Sequence, residues 1–95
     1  MSHCYLPYND LIFQYVRALL ALKECHKLQP DNPTLLLQTA NVCYSHLHLI
    51  DEGISYAKHV VELGEDNPLV GRGFIALGVG LSLKADEVKL QVGFE

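Results

Sequence analysis

The 95 residues carry 49% hydrophobic and 19% charged side chains, a balance that suits a packed core and excludes a disordered polar tail. Seven basic against eleven acidic residues give a formal charge of −4 with no run of Lys or Arg, so nucleic acid and anionic membrane surfaces lack the clustered positive charge they need. Cys4, Cys25 and Cys43 fall at no framework spacing and no secretory signal pattern precedes Pro7, which gives the expectation of a reduced, intracellular and soluble protein.

The first helix is expected over Asn9–Leu28, where Ile12, Tyr15, Leu19 and Leu22 recur at spacings of three and four, with Leu11 and Ala18 beside them. Gln29-Pro30 ends it, because the residue before a proline avoids helical backbone angles. Asn32-Pro33 restarts the chain, Asn as a cap for free N–H groups and Pro at the first helical position. The second helix should then run to about Leu49. Asp51 and Glu52 sit where carboxylates favour the positive end of a third, which ends at Leu63 with Gly64 as a left-handed cap. Asn67-Pro68 repeats the start signal for an apolar fourth helix ending near Ala85. Its longest uncharged run, Gly73–Leu83, is eleven residues, short of the roughly 20 needed to cross a bilayer. The sequence therefore divides into a poorly ordered segment 1–10, helical repeats over 11–85, and an incomplete helix or tail over 86–95. The expected fold is all-α, about four helices in antiparallel pairs.

A shift of 35 residues lays Lys23 on Lys58, Leu28 on Leu63, and Asp31-Asn32-Pro33 on Asp66-Asn67-Pro68. This period is close to the tetratricopeptide repeat, a helix–turn–helix unit of about 34 residues. Phe74, Leu77, Gly78 and Leu81 match the spacing of its first-helix signature, and Ala18, Leu22, Cys25 and Pro30 that of its second helix. Gly78 is read here as a point of close helix approach. The middle unit is looser: Leu36, Ala40 and Cys43 hold first-helix places. Gly53, Ala57 and Val60 hold second-helix places only if one extra residue sits near Leu47.

Ala18-Leu19-Leu20-Ala21-Leu22-Lys23-Glu24-Cys25, Pro30-Asp31-Asn32-Pro33-Thr34, Leu63-Gly64-Glu65 and the run Phe74-Ile75-Ala76-Leu77-Gly78-Val79-Gly80-Leu81-Ser82-Leu83 together resemble the tetratricopeptide repeat protein 7 family, over roughly Arg17 to Ala85. The resemblance implies an α–α solenoid and a non-catalytic scaffold. It also implies partners: phosphatidylinositol 4-kinase alpha, a hyccin-type subunit and a palmitoylated adaptor, with placement in the cytoplasm against the plasma membrane through those partners. Met1–Asp10 and Val88–Glu95 depart from the family, which implies a fragment or short form. The two ends are expected to leave apolar faces uncovered, and hence to favour association.

Chemistry is sparsely signalled. Cys43 and His46 share a helical face, but His48 points about 200° from His46, and structural zinc wants four convergent ligands. Cys25 and Cys43 fit small, packed repeat positions. Gly71, Gly73, Gly78 and Gly80 lack the Gly-Lys-Ser/Thr and preceding strand of a phosphate loop. No catalytic residue, metal ligand or cofactor is assigned. A partner would meet first-helix residues on the inner face of an array: Gln38, Asn41, Tyr44 and Ser45, with Arg72 on the fourth helix. The rival within binding modules is a generic peptide- or chaperone-linked adaptor that clamps a terminal carboxylate with basic residues. Leu37 and Ile75 stand where such proteins place them, leaving only Asn41 and Arg72 of suitable type. A more distant rival is a small metal or redox protein using Cys25 and Cys43.

Overall fold

The computed structural model describes the backbone of residues 7–93 and side chains from Leu11 to Lys89. Among these residues the chain is all-α: α1 (Pro7–Leu28), α2 (Pro33–Val42, continued by a π-helical turn over Cys43–Leu47), α3 (Ile50–Glu62) and α4 (Val70–Gly93). α3 packs closely on α4 and on α2, while α1 lies more loosely against α2 and its π turn. The Cα radius of gyration is 15.5 Å, against about 12 Å for a compact chain of this length, and the molecule is a slab 17 Å thick. That thickness accommodates two layers of helix axes about 10 Å apart, the section of a helical array.

The start and stop signals act largely as the residues suggest. Asn32 Oδ1 accepts from the N–H of Thr34 at 3.0 Å and of Leu35 at 3.3 Å, with Pro33 in the first turn of α2. Asp51 and Glu52 occupy the first turn of α3, whose preceding residue offers no side-chain cap. Gly64 has φ +96°, a left-handed conformation that favours glycine and stops the chain after α3. At Asn67 the side chain accepts from Leu69 N–H at 3.1 Å and donates to Val60 O at 3.3 Å. One irregular turn follows before α4 begins at Val70. Two boundaries differ from expectation. Pro7 already lies in α1, and residues 1–6 fall outside the described part. α4 does not stop near Ala85 but continues to Gly93, since no Gly or Pro interrupts residues 81–92; Glu87, in this continuation, pairs at 3.7 Å with Lys84, which also meets Asp51 of α3 at 3.1 Å.

The second helix carries its extra residue as a π turn. The N–H groups of His48 and Leu49 both point at Cys43 O, the latter at 2.9 Å, and His48 takes φ 55°, ψ 31°. The left-handed residue that closes a helix end is usually glycine, and here it is a histidine, with the closure one residue longer than at an α-helix end because the last turn is a π turn. A side chain in this left-handed region costs about 1 kcal/mol. His48→Gly is therefore expected to raise stability by up to about 1 kcal/mol in urea titration and His48→Val to lower it.

The core is thin and central. Leu36, Thr39, Ala40, Cys43 and Tyr44 of the second helix meet Gly53, Ala57 and Val60 of α3, with Leu19 from α1 and the Gly73 and Gly80 backbones from α4. The loosest repeat in the sequence is thus the best packed, because it alone has a helix on each side. The flanking signature residues fare differently. Ala18, Leu22 and Leu77 are half-buried, whereas Cys25, Pro30, Phe74, Gly78 and Leu81 are exposed. Gly78 has nothing within 4 Å of where a Cβ would stand, so it is not a contact point between these helices. Gly73, against Val60, and Gly80, against Tyr44 and Ile54, take that role.

Candidate functional site

On the second helix Gln38, Asn41 and Ser45 follow at steps of three and four and all three are exposed, forming a polar ridge. Ser45 Oγ donates to Asn41 Oδ1 at 3.1 Å, which fixes the Asn41 amide. Arg72 is exposed on the first turn of α4. Tyr44, expected beside them, is not on this surface. Its ring is buried between Gly53 and Gly80, and its hydroxyl donates to Ala76 O at 2.9 Å, tying the second helix to α4. Burial raises the Tyr44 phenol above its ordinary value. Leu37 is half-buried and Ile75 is exposed, so no basic pair flanks Asn41 and Arg72 as a carboxylate clamp would require.

A shallow cleft of about 230 Å³ opens where His48, Leu49, Ile50, Asp51 and Glu52 meet Glu87. It falls below the size of a pocket for a drug-sized ligand, and Lys84 bridges two of its carboxylates. The histidines and cysteines considered for metal disperse. The His46 ring stacks on Tyr15 at 3.7 Å, His48 ends the π turn in solvent, and Cys43 is fully buried. Among the described residues no three His, Cys, Asp or Glu side chains converge to hold an ion.

Cys25 and Cys43, grouped together by their repeat positions, differ in environment. Cys25 is exposed. Burial, and next the Glu52 carboxylate, push the Cys43 thiol above its ordinary value, so it stays protonated and unreactive. In a maleimide pulse at neutral pH followed by peptide mapping, Cys25 is expected to label in the native protein and Cys43 only after unfolding. Equal labelling would mean that the core around Cys43 opens to solvent.

Interhelical polar contacts that no local pattern signals fasten α1 and its turn to the rest. Lys23 pairs with Glu52 at 3.3 Å, an interaction that raises the lysine, and His59 meets Asp31 at 3.0 Å. His26 Nε2 meets Thr39 Oγ1 at 2.8 Å, and the same ring stacks on Tyr56. These pairs join residues 13 to 30 positions apart, which helical periodicity cannot report. None of the helices among the described residues is long and apolar enough to cross a membrane.

The chain is similar to tetratricopeptide repeat protein 7B of Mus musculus and of Homo sapiens, 40% identical to each over 76 residues, or 79% of this chain and 9% of the relative. It is 37% identical to human tetratricopeptide repeat protein 7A over 75 residues, 78% of this chain and again 9% of the relative. The chain thus spans under a tenth of the length of these proteins. No protein-family model and no solved structure matches it.

Proposed function

From the premise that over its matched residues the chain belongs to the tetratricopeptide repeat protein 7 family, we propose that it is a non-catalytic scaffold for protein partners. The observation that carries this reading is 40% identity across most of the chain to proteins named for their repeats. What further supports it is a surface with an exposed polar ridge. The finer proposal, resting on the family resemblance, is a place in a phosphatidylinositol 4-kinase alpha assembly. In it the chain helps join the kinase to a hyccin-type subunit and to a palmitoylated adaptor, so it sits at the plasma membrane through partners and without insertion.

The test is retention of purified hyccin-type subunit and of purified kinase on the immobilised 95-residue chain. Wild type is expected to retain at least one of them. A Gln38→Glu, Asn41→Arg, Arg72→Glu variant is expected to lose retention at least tenfold. Its stability should stay within about 0.5 kcal/mol, because all three positions are exposed and away from the core. No retention by wild type would remove the kinase-assembly proposal, and undiminished retention by the variant would move the contact off this ridge.

A further inference from the structure

We propose that the seam between α1 and the second helix is a pH-responsive joint, in which a proton on the His26 ring parts α1 from the helices that follow. The seam lies inside the chain, between α1 as the second helix of one repeat unit and α2 with α3 as the next. Histidines are concentrated there. Among the described residues His26 meets Thr39 and stacks on Tyr56, the His46 ring stacks on Tyr15, and His59 meets Asp31 of the turn after α1. Lys23 with Glu52 is the one polar tie described across this seam that has no histidine. The other side of the core is fastened differently. Tyr44 to Ala76 O, Lys84 to Asp51 and Asn67 to Val60 O use groups whose charge is constant between about pH 5 and 8.

The three histidines answer a proton differently, and the neighbours of each give the sign. His59 faces the Asp31 carboxylate at 3.0 Å, so a proton strengthens that contact. His46 lies flat on the Tyr15 ring at 3.7 Å, where a cation is welcome on an aromatic face. His26 faces no acceptor for a second N–H. The second helix offers it Thr39, whose own proton goes to Leu35 O at 2.7 Å. α3 offers Tyr56, stacked on the ring, and the second imidazole of His59, while Glu52 is engaged with Lys23 of α1. The Nδ1 atom is buried without a partner. A proton there gains no bond and adds positive charge beside His59, so it is accommodated once the ring swings out to water. Burial, and next His59, accordingly hold the ring below 6.5. Closure of the seam is complete above pH 6.5 and weakens as pH falls through 6.5 toward the folded value.

α1 is the helix free to respond. It gives the core one fully buried side chain, Leu19, while the second helix and α3 supply the others. An element with few buried contacts opens at a lower free energy than the whole fold. The Asp31 and His59 pair, tightened by the same acid, holds the turn and makes it the pivot. Acid therefore changes the setting of one repeat unit against the next before it unfolds either.

The experiment is amide hydrogen exchange, residue by residue, on the 95-residue chain at pH 7.5 and 5.5 with rising low urea. At pH 7.5 the amides of residues 18–27 are expected to exchange through an opening that urea barely accelerates, about tenfold less protected than the core amides of α3. Corrected for intrinsic rates, their protection should fall about two- to tenfold at pH 5.5, tenfold being the limit for a folded ring that stays neutral there. His26→Phe with Thr39→Val keeps a ring on Tyr56 and has no site for the proton, so it should show no fall. His59→Gln leaves the contacts of His26 with Thr39 and Tyr56 in place and should keep the fall. Circular dichroism at both pH values checks that the variants are folded, and wild type alone decides the first two results. Exchange in α1 that follows α3 at every urea concentration would mean that α1 opens only with the whole fold, and would overturn the proposal. Equal protection of α1 at the two pH values, a fall that survives in the double variant, or one that vanishes in His59→Gln would overturn it as well.

Discussion

Gly80→Ala is expected to destabilise the protein by about 3 kcal/mol, whereas Gly78→Ala, two residues earlier in the same helix, stabilises it by up to about 1 kcal/mol. Helix propensity favours both changes equally, so the difference isolates packing. At Gly78 an added methyl meets nothing within 4 Å. At Gly80 it would overlap the Tyr44 hydroxyl and stand 2.6 Å from Cζ and 2.7 Å from Ile54 Cγ1. Tyr44 has no retreat, because its other edge lies on Gly53 in α3, where an added Cβ would stand 2.6 Å from Cδ1. The helices must separate, which costs about 1–3 kcal/mol in overpacking and about 1 kcal/mol more if the Tyr44 bond to Ala76 O is lost. Tyr44→Phe added to Gly80→Ala should recover part of the loss, since the hydroxyl is the nearest atom while the ring remains close. Urea midpoints at unchanged slope, taken on dilute protein, measure all three variants. If Gly80→Ala stabilises as much as Gly78→Ala does, α4 does not approach Tyr44 this closely.

The pair also shows where the sequence stops being informative. The repeat signature singles out Gly78, yet nothing approaches it. The face that α4 turns toward α3 lies about 200° round, at Gly80, and no pattern within α4 says which neighbour is present. The same reason explains why Phe74, Leu81 and Cys25 are exposed although their spacing reads as core. A periodic pattern identifies a face to be buried, not the element that buries it. Element order, the Asn32 cap, the acidic start of α3 and the Gly64 stop were legible because each is a local backbone requirement met by neighbouring residues. The π turn was half legible, as one surplus residue near Leu47. Tyr44 reads as a partner-facing aromatic beside Asn41 and Ser45, and only its contacts with two glycines from different helices reveal it as a tie within the fold. The polar ridge of Gln38, Asn41 and Ser45 was legible because exposed polar residues at helical spacing need no partner to define them.

Thr39→Val is expected to cost about 2 kcal/mol although it preserves shape, because it strands a buried imidazole. The Thr39 hydroxyl donates its one proton to Leu35 O at 2.7 Å, so toward His26 it can only accept. His26 Nε2 is therefore the donor, and the uncharged ring leaves Nδ1 as a bare nitrogen, buried without a partner. Protonating Nδ1 would create a second N–H with nothing to receive it. Accordingly burial, and next the nearby His59, hold His26 below the ordinary 6.5. The folded pKa lies below the unfolded one, so between the two values the unfolded chain binds more protons and stability rises with pH. The contribution is complete above pH 6.5 and is lost as pH falls through 6.5 toward the folded value. At the alkaline end the sign reverses. The Cys43 thiol, and above it the Tyr44 and Tyr56 phenols, are raised in the fold, so their contribution is lost as pH rises past 9.0 and then 10.0. Urea midpoints should thus fall between pH 7.5 and 5.5 in wild type. His26→Phe with Thr39→Val replaces both partners by apolar groups and keeps the stack on Tyr56. The double variant should therefore be more stable than Thr39→Val alone and show a flatter profile below pH 7. A double variant with the wild-type acid slope would place the titrating group elsewhere. One less stable than Thr39→Val alone would mean that the His26 contact with Thr39 does not hold α1 to the second helix.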